Sequence, residues 1–216
     1  MKTSRPVTAA DVAQYIRTSI TSGEMVPGQR LVEADLAEAV GASRGHVRSA
    51  LADLAVEGLI ERIQNRGARV RQVTLEEALE IIEVRAAVEA LCAAKAAEKV
   101  SEDEIAELRD IGTNMTDAVE TGNQAAYARG NELLHAAIIR IADQKTAAET
   151  IRRLQAQAVR YQYRLSAQPG RSQVSLPEHL AIIEAVCTRD ADAARDAMHA
   201  HLSSVAGAIQ NTADPR

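Results

Sequence analysis

Aromatic residues are nearly absent from this sequence: they make up 2% of its 216 residues, and there is neither Trp nor Phe. A hydrophobic core must therefore be built from Leu, Ile, Val and much Ala, which implies close packing of helices. Hydrophobic residues still reach 46% and charged residues 25%, as in a globular protein long enough for two domains.

Long apolar runs and cysteines are also scarce. No stretch approaches the roughly 20 apolar residues of a membrane helix, and the start MKTSRPVTAADV lacks the apolar centre of a signal peptide. The two cysteines, Cys92 and Cys187, are far apart in helical patterns, which favours buried free thiols over a disulfide. We expect a cytoplasmic protein with no membrane partner.

Residues 30–71 read as helix, sharp turn, second helix and short β-ribbon. The first helical pattern ends at Gly41 and has apolar residues at Leu31, Leu36, Ala37 and Val40. The second begins at Ser43, whose hydroxyl can cap free backbone N–H groups, and has a stripe of Val47, Ala50, Leu51 and Leu54. Residues 59–63 and 68–73 alternate as two strands joined by the turn 64–67, which predicts a β-hairpin wing.

The polar face of the second helix points to DNA. Arg44, His46 and Arg48 lie in its first turns, where a helix-turn-helix protein meets base edges and phosphates. The alternative is an ordinary helical hairpin with solvated charges. Against it, residues 43–71 hold six arginines and three acids. Up to residue 72 the chain has 10 basic and 8 acidic residues, a net charge of +2. Beyond residue 72 it has 15 basic and 22 acidic residues, a net charge of −7.

Residues 27–60 closely resemble the N-terminal winged helix of the GntR family of bacterial transcription regulators. The matching pattern is a Pro-Gly pair, Leu-Ala, then Ser-Arg-x-x-Val-Arg-x-Ala-Leu and Gly-Leu. The resemblance implies that DNA is contacted by Arg30, Arg44, Arg48, Arg66 and Gly67, and we add Ser43 and His46 from their position. The family usually has Thr-Pro and Glu where this chain has Gly45-His46 and Ser49. These differences affect which operator sequence is recognised.

From residue 74 onward the patterns predict six helices and no strand. They run roughly over 74–99, 101–121, 124–142, 146–166, 177–188 and 191–208, with breaks at Gly122, Pro169-Gly170 and Asp190. We therefore predict a mostly α protein: a winged helix-turn-helix domain over 1–73 and an all-α bundle over 74–216.

Three histidines of the bundle, His135, His179 and His201, lie on apolar faces of three different helices. His199 is about 200° around the helix from His201 and is expected at the surface. One histidine on an apolar face is usually a hydrogen-bonded core residue, but three suggest a shared metal ion. Asn131 is four residues before His135, on the same face.

The order of the helices that carry these residues also resembles the FCD-type effector domain of one GntR branch. In that domain an Asp and three histidines often bind a divalent metal. The resemblance implies the set Asn131, His135, His179 and His201, with Asn in place of the usual Asp. Histidine nitrogens favour zinc, with nickel as the alternative. Family members also hold an anionic effector with an arginine near Arg85, although an Arg85–Glu89 salt bridge at i, i+4 explains that residue equally well.

Two functions remain open at this point. The first is a DNA-binding regulator, expected to be a homodimeric repressor on two-fold operators, released by a small organic acid held at the metal. The second is a three-histidine metalloenzyme of the bundle. Against the enzyme, we see no inward-facing Glu beside the histidines, no HExxH, no nucleophile elbow and no phosphate-binding glycine loop. We predict a regulator and no catalysis.

Overall fold

The computed structural model describes residues 5–63, 67–166, 168 and 170–213. Over these residues it contains nine helices and a small three-stranded sheet, so the prediction of a mostly α protein is confirmed. The chain divides into two compact units. One comprises Met1–Thr74 with Gln155–Tyr163, and the other Leu75–Leu154 with Arg164–Arg216.

The first unit is a helical core edged by a sheet. Its elements are α1 (Ala9–Ser22), β1 (Arg30–Leu31), α2 (Glu33–Val40), α3 (Arg44–Glu57), β2 (Ile60–Ile63) and β3 (Gly67–Val70). The sheet order is β1-β3-β2, with antiparallel pairing that sets Leu31 opposite Ala68 and Arg62 opposite Ala68 on its other side. The predicted hairpin is therefore present, while residues 64–66 of its turn lie outside the described residues.

The helix that was predicted to read DNA forms as expected. The Ser43 hydroxyl accepts a hydrogen bond from the backbone N–H of His46 at 3.2 Å, so it caps α3. Gly41 and Gly58 adopt left-handed conformations at the ends of α2 and α3. The predicted apolar stripe is buried: Val47, Ala50, Leu51 and Leu54. Burying this stripe leaves the opposite side of α3 facing solvent.

Two features of this unit differ from the sequence prediction. Leu31 belongs to β1, not to the first helix, because its backbone pairs with β3 while its side chain enters the core; α2 begins only at Glu33. The sequence analysis also did not identify α1, although Thr8 and Asp11 form a reciprocal capping box at its start.

The second unit is a helical bundle, as predicted. Its helices are α4 (Leu75–Lys99), α5 (Glu102–Glu120), α6 (Gln124–Ala142), α8 (Arg171–Cys187) and α9 (Ala191–Ala213), together with the two ends of α7 (Lys145–Ser166), whose residues Gln155–Tyr163 belong to the first unit. Helix α4 packs against α6, α8 and α9, and α5 packs against α6 and α8. The predicted start of α8 at Pro177 is wrong: the helix starts at Arg171 and contains Pro177, whose missing N–H costs one backbone hydrogen bond inside it.

Small residues allow the close helix packing that the composition implies. Ala86, Ala90, Ala93 and Ala97 of α4 are all buried. At Gly130 of α6, an added Cβ would lie 2.5 Å from Cγ of Met115 on α5, so any larger residue would force the buried Met115 side chain to move. Cys92 and Cys187 are buried free thiols, as predicted. None of the helices in the described part of the chain has the length and apolarity that crossing a membrane requires.

Candidate nucleic-acid interface and metal centre

The solvent side of α3 carries the side chains predicted to contact DNA. Arg44, His46 and Arg48 are all exposed, as is Arg30 on β1. Gly67 at the start of β3 has φ 88°, and a Cβ there would lie 3.1 Å from the Leu31 carbonyl oxygen, so a side chain would strain this corner of the sheet. Arg66 lies outside the described residues.

Two exposed arginines of α3 and the sheet have carboxylate partners. Arg48 contacts Glu33 of α2 through Nη2 at 3.1 Å and Nε at 3.4 Å. Arg69 of β3 contacts Glu61 of β2 through Nη2 at 2.7 Å and Nε at 2.8 Å. The two arginine side chains are still 64% and 51% exposed. This surface is therefore cationic but contains acids, and the pairing of these acids with arginines was not predicted from the sequence.

The three predicted histidines meet inside the second unit. His135 on α6, His179 on α8 and His201 on α9 are 8%, 1% and 4% exposed. One ring nitrogen from each lies within 4.8 Å of the other two. His199 is exposed, as predicted from its position on the helix. The structure therefore brings together three nitrogens suited to one transition-metal ion.

Each ring is held through Nδ1 by a separate partner. His135 Nδ1 lies 2.8 Å from Glu89 Oε2, and His201 Nδ1 lies 2.8 Å from Glu178 Oε2. His179 Nδ1 lies 2.9 Å from the Tyr127 hydroxyl. With Nδ1 engaged in every ring, Nε2 is the nitrogen left for a metal, and such outer partners are what orient histidine ligands in proteins.

The electrostatics of the cluster fix which nitrogen carries the proton. Burial alone would raise the pKa of Glu89, but Arg85 and His135 outweigh it and lower that pKa to about 2. Burial likewise opposes ionisation of Glu178, whose pKa is nevertheless lowered by the hydrogen bond with His201. An ionised carboxylate only accepts hydrogen bonds, so Nδ1 is the donor in His135 and His201.

Burial disfavours the charged form of two of these histidines. It lowers the pKa of His179 well below its usual value, and the neighbouring His201 and His135 add to this effect. Burial also lowers the pKa of His201. His179 and His201 are therefore neutral at physiological pH, which is the form that binds metals.

An unsatisfied atom supports the fit of a metal ion. Among the described residues, Nε2 of His179 has no hydrogen-bond partner although it is fully buried. An orphaned buried polar nitrogen is costly, and a metal ion shared with His135 and His201 would remove that cost. Three histidine nitrogens match the preferences of zinc and nickel.

Arg85 forms a buried salt bridge with Glu89. Its Nε and Nη2 both lie 2.8 Å from Glu89 Oε1, so the salt bridge that the sequence offered as the alternative is present. Nη1 of Arg85 is buried without a hydrogen-bond partner in the described residues. Glu89 thus joins Arg85 to His135 through its two oxygens.

Other parts of the site were predicted incompletely. Asn131 is half-buried on α6, one turn before His135, and its role as a ligand stays a prediction. The expectation that no inward Glu lies beside the histidines is wrong, since Glu89 is 1% exposed and touches His135. Glu178 has a sequence signal, because it directly precedes His179, whereas Tyr127 and Glu89 come into contact only through the packing of separate helices.

Comparison with known protein families gives two matches. Residues 8–70 match the model described as bacterial regulatory proteins, gntR family, and residues 80–204 match the FCD domain. The HTH-type transcriptional repressor RspR of Escherichia coli K12 is 27% identical over 199 residues, which cover 92% of this chain and 87% of that protein. The HTH-type transcriptional repressor NagR of Bacillus subtilis is 39% identical over 70 residues, 32% of this chain and 29% of that protein.

Solved structures show the same fold. Escherichia coli McbR/YncC superposes with a TM-score of 0.82 at 20% identity, over 97% of this chain and 100% of that one. The Listeria monocytogenes protein Lar gives a TM-score of 0.65 at 18% identity, over 96% and 99%. The matching families and relatives are transcription regulators and not enzymes, so the metalloenzyme alternative is not favoured.

Proposed function

The chain belongs to the GntR family of bacterial regulatory proteins and carries an FCD domain, and from this membership we propose that it is an effector-controlled repressor of transcription. The observation that carries the proposal is the exposed cationic side of α3. Arg44, His46 and Arg48 face solvent there because the apolar stripe on the other side of the helix is buried. Repressors among the relatives, such as RspR, support the sign of regulation. Action on DNA also supports a cytoplasmic location.

We assign the DNA contacts to the exposed edge of the first unit. The α3 side chains enter the major groove, and Ser43 stands at the helix N-terminus, where backbone N–H groups favour phosphate. Arg30 and the hairpin corner with Arg66 and Gly67 contact the flanking backbone. Because contacts to phosphate release counterions, binding should weaken steeply with salt.

We propose that His135, His179 and His201 hold a divalent metal, most simply zinc, with Asn131 completing the protein ligands. When bound, the metal supplies open coordination positions that a carboxylate can occupy. Glu89, Tyr127 and Glu178 orient the three imidazole rings through their contacts with Nδ1. The orphaned Nε2 of His179 supports the presence of a ligand at this point.

The proposed effector is a small organic acid. Nη1 of Arg85 is a buried donor that has no partner among the described residues, and an acid's carboxylate would satisfy it. Since Nε and Nη2 stay with Glu89, Arg85 offers the acid a single nitrogen and keeps its charge balanced. Effector binding changes operator affinity only if it favours one arrangement of the protein over another.

A second copy of the chain is the proposed partner of an exposed apolar stripe on α4. Val84 and Leu91 are 49% and 43% exposed, and Ala87 and Val88 lie between them. If two copies of α4 pack antiparallel about a two-fold axis near residues 87 and 88, Val84 meets the partner's Leu91 and Glu80 meets the partner's Lys95. Apolar contacts and opposite charges then match across the axis.

The dimer is tested by sedimentation of Leu91→Glu beside Leu133→Glu, since Leu133 on α6 is even more exposed at 58%. Leu91→Glu should yield monomers and Leu133→Glu should leave dimers. Equal behaviour of the two variants would contradict the α4 interface.

The proposed function is tested in two steps. Full-length protein is used to select duplexes from a randomised library, which should return a two-fold sequence. Metal content and melting temperature are then measured before and after chelation, with acetate, lactate, malate and citrate added to the metal-loaded form. About one metal per chain and an acid that raises the melting temperature would support the proposal. No selected sequence would overturn it.

A further inference from the structure

Glu33 is an acid in the middle of a surface that is assigned to DNA. It opens α2, and its carboxylate lies against Arg48 of α3, at 3.1 Å from Nη2 and 3.4 Å from Nε. The hydrogen bond from Arg48 lowers the pKa of Glu33, and the charges of Arg48, Arg62 and Arg44 lower it further. One carboxylate therefore lies among three arginines from α3 and β2.

Neither stability nor charge explains this placement. Arg48 is 64% exposed, and exposed ion pairs add little to folding stability. A carboxylate beside DNA phosphates repels them, so an affinity set by charge alone would be higher without Glu33.

The geometry of the pair suggests a different role. Glu33 uses Nε and one N–H of Nη2, which fixes the plane of the guanidinium and leaves its end, with Nη1 and the second N–H of Nη2, directed away from the carboxylate. That end is the fork with which arginine donates to O6 and N7 of guanine. A phosphate contact needs only the charge, whereas a guanine contact needs the fork held at a fixed angle.

We propose that Glu33 is a specificity-determining positioning residue: it holds Arg48 in the orientation that reads a guanine and offsets part of the non-specific attraction to phosphate. This inference rests on the proposed DNA-binding function. It predicts that losing Glu33 strengthens binding to unrelated DNA and weakens discrimination in favour of the operator.

The chain provides a matched control in the wing. Glu61 contacts Arg69 at 2.7 Å, and this pair is also exposed. Both nitrogens of Arg69 converge on a single oxygen of Glu61, and the pair joins neighbouring strands rather than presenting a residue of α3. Glu33→Gln and Glu61→Gln each remove one negative charge from the same unit, so they have the same effect on long-range attraction.

The test uses the duplex that the wild-type full-length protein selects from a randomised library, and a scrambled duplex of the same composition. Dissociation constants for both are measured by fluorescence anisotropy at several salt concentrations. Glu33→Gln should tighten binding to the scrambled duplex about as much as Glu61→Gln does, yet reduce the ratio of the two affinities about tenfold or more. Reselection with Glu33→Gln should lose preference at one guanine in each half-site.

Glu61→Gln should leave the affinity ratio nearly unchanged, and equal melting temperatures should show that both variants fold. If the two variants shifted both duplexes equally, Glu33 would be only one more negative charge and the inference would be wrong. A wild-type protein that selects no sequence would overturn the proposed function, and the inference with it.

Discussion

The two units pair arginine with glutamate under opposite conditions. In the first, Arg48 and Glu33 are 64% and 29% exposed. In the second, Arg85 and Glu89 are 4% and 1% exposed, and the same Glu89 also touches His135. Water screens the first pair, so its loss costs the fold little, and Glu33 can serve to orient Arg48. Losing one partner of the second pair is costly, because either charge left alone in the core would be strongly unfavourable.

This contrast shows where each unit can change. Under the proposal, Arg48 binds DNA reversibly, and its pairing with Glu33 sets its orientation. The buried cluster is part of the folded core, so a ligand there acts on stability as well as on binding.

Replacing Glu89 by Gln should destabilise the protein most. The variant keeps the shape of the side chain but leaves Arg85 buried without a counter-charge, which typically costs about 3–5 kcal/mol. Urea unfolding monitored by circular dichroism measures this free energy. Glu33→Gln, which breaks the exposed pair, should leave the free energy of unfolding nearly unchanged. A similar loss of stability in both variants would remove the contrast between the two units.

Replacing His201 by Ala should abolish the metal site, since it removes one of the three converging nitrogens. Bound metal, measured by mass spectrometry after dialysis, should fall from about one per chain towards zero, with affinity reduced by roughly 100-fold or more. His199→Ala is the control, because this histidine is on the same helix but exposed. Metal retained in His201→Ala would exclude this residue as a ligand.

The metal-free protein should lose stability as the pH falls below about 6.5. The pKa values of His179 and His201 are lowered in the folded state, so below that pH the unfolded chain binds protons that the folded chain does not. The free energy of unfolding should then decrease by about 1.4 kcal/mol per pH unit for each such histidine. Urea titrations between pH 7.5 and 5 measure the slope. A stability that rises on acidification would show that these rings are charged in the fold.

Arg44→Ala should weaken binding to the selected duplex by about 5- to 150-fold, the range for one arginine contact to a base. Arg195, exposed on α9, gives a control for loss of a positive charge far along the chain. Fluorescence anisotropy at fixed salt measures both variants. If Arg195→Ala weakened binding as much as Arg44→Ala, the α3 surface would not be the DNA-binding face.

Local sequence signals predicted the helices better than the helix boundaries and the short strand β1. The glycine at 41, the cap at Ser43 and the spacing of Val47, Leu51 and Leu54 suffice to define α3, because helix signals lie within a few residues. β1 was missed since two residues carry no periodicity, and its existence depends on β3, more than 30 residues away. Because proline favours the first turn of a helix, the sequence predicts a start at Pro177, whereas packing keeps this residue inside α8.

The candidate site shows the same limit. The histidines could be predicted because each lies on an apolar face of its own helix. Their partners could not, since the contact between Glu89 of α4 and His135 of α6 spans 46 residues and follows from how the two helices pack. The pairing of Arg48 with Glu33 likewise depends on the angle between α2 and α3, which no local pattern specifies.

The proposed regulation requires that occupancy of the buried cluster change the affinity of the exposed α3 surface for the operator. This is measured by titrating the selected duplex with metal-loaded protein, with and without a saturating amount of the acid that raises the melting temperature. The acid should weaken operator binding by about 5- to 150-fold. Identical affinities across the whole titration would contradict it.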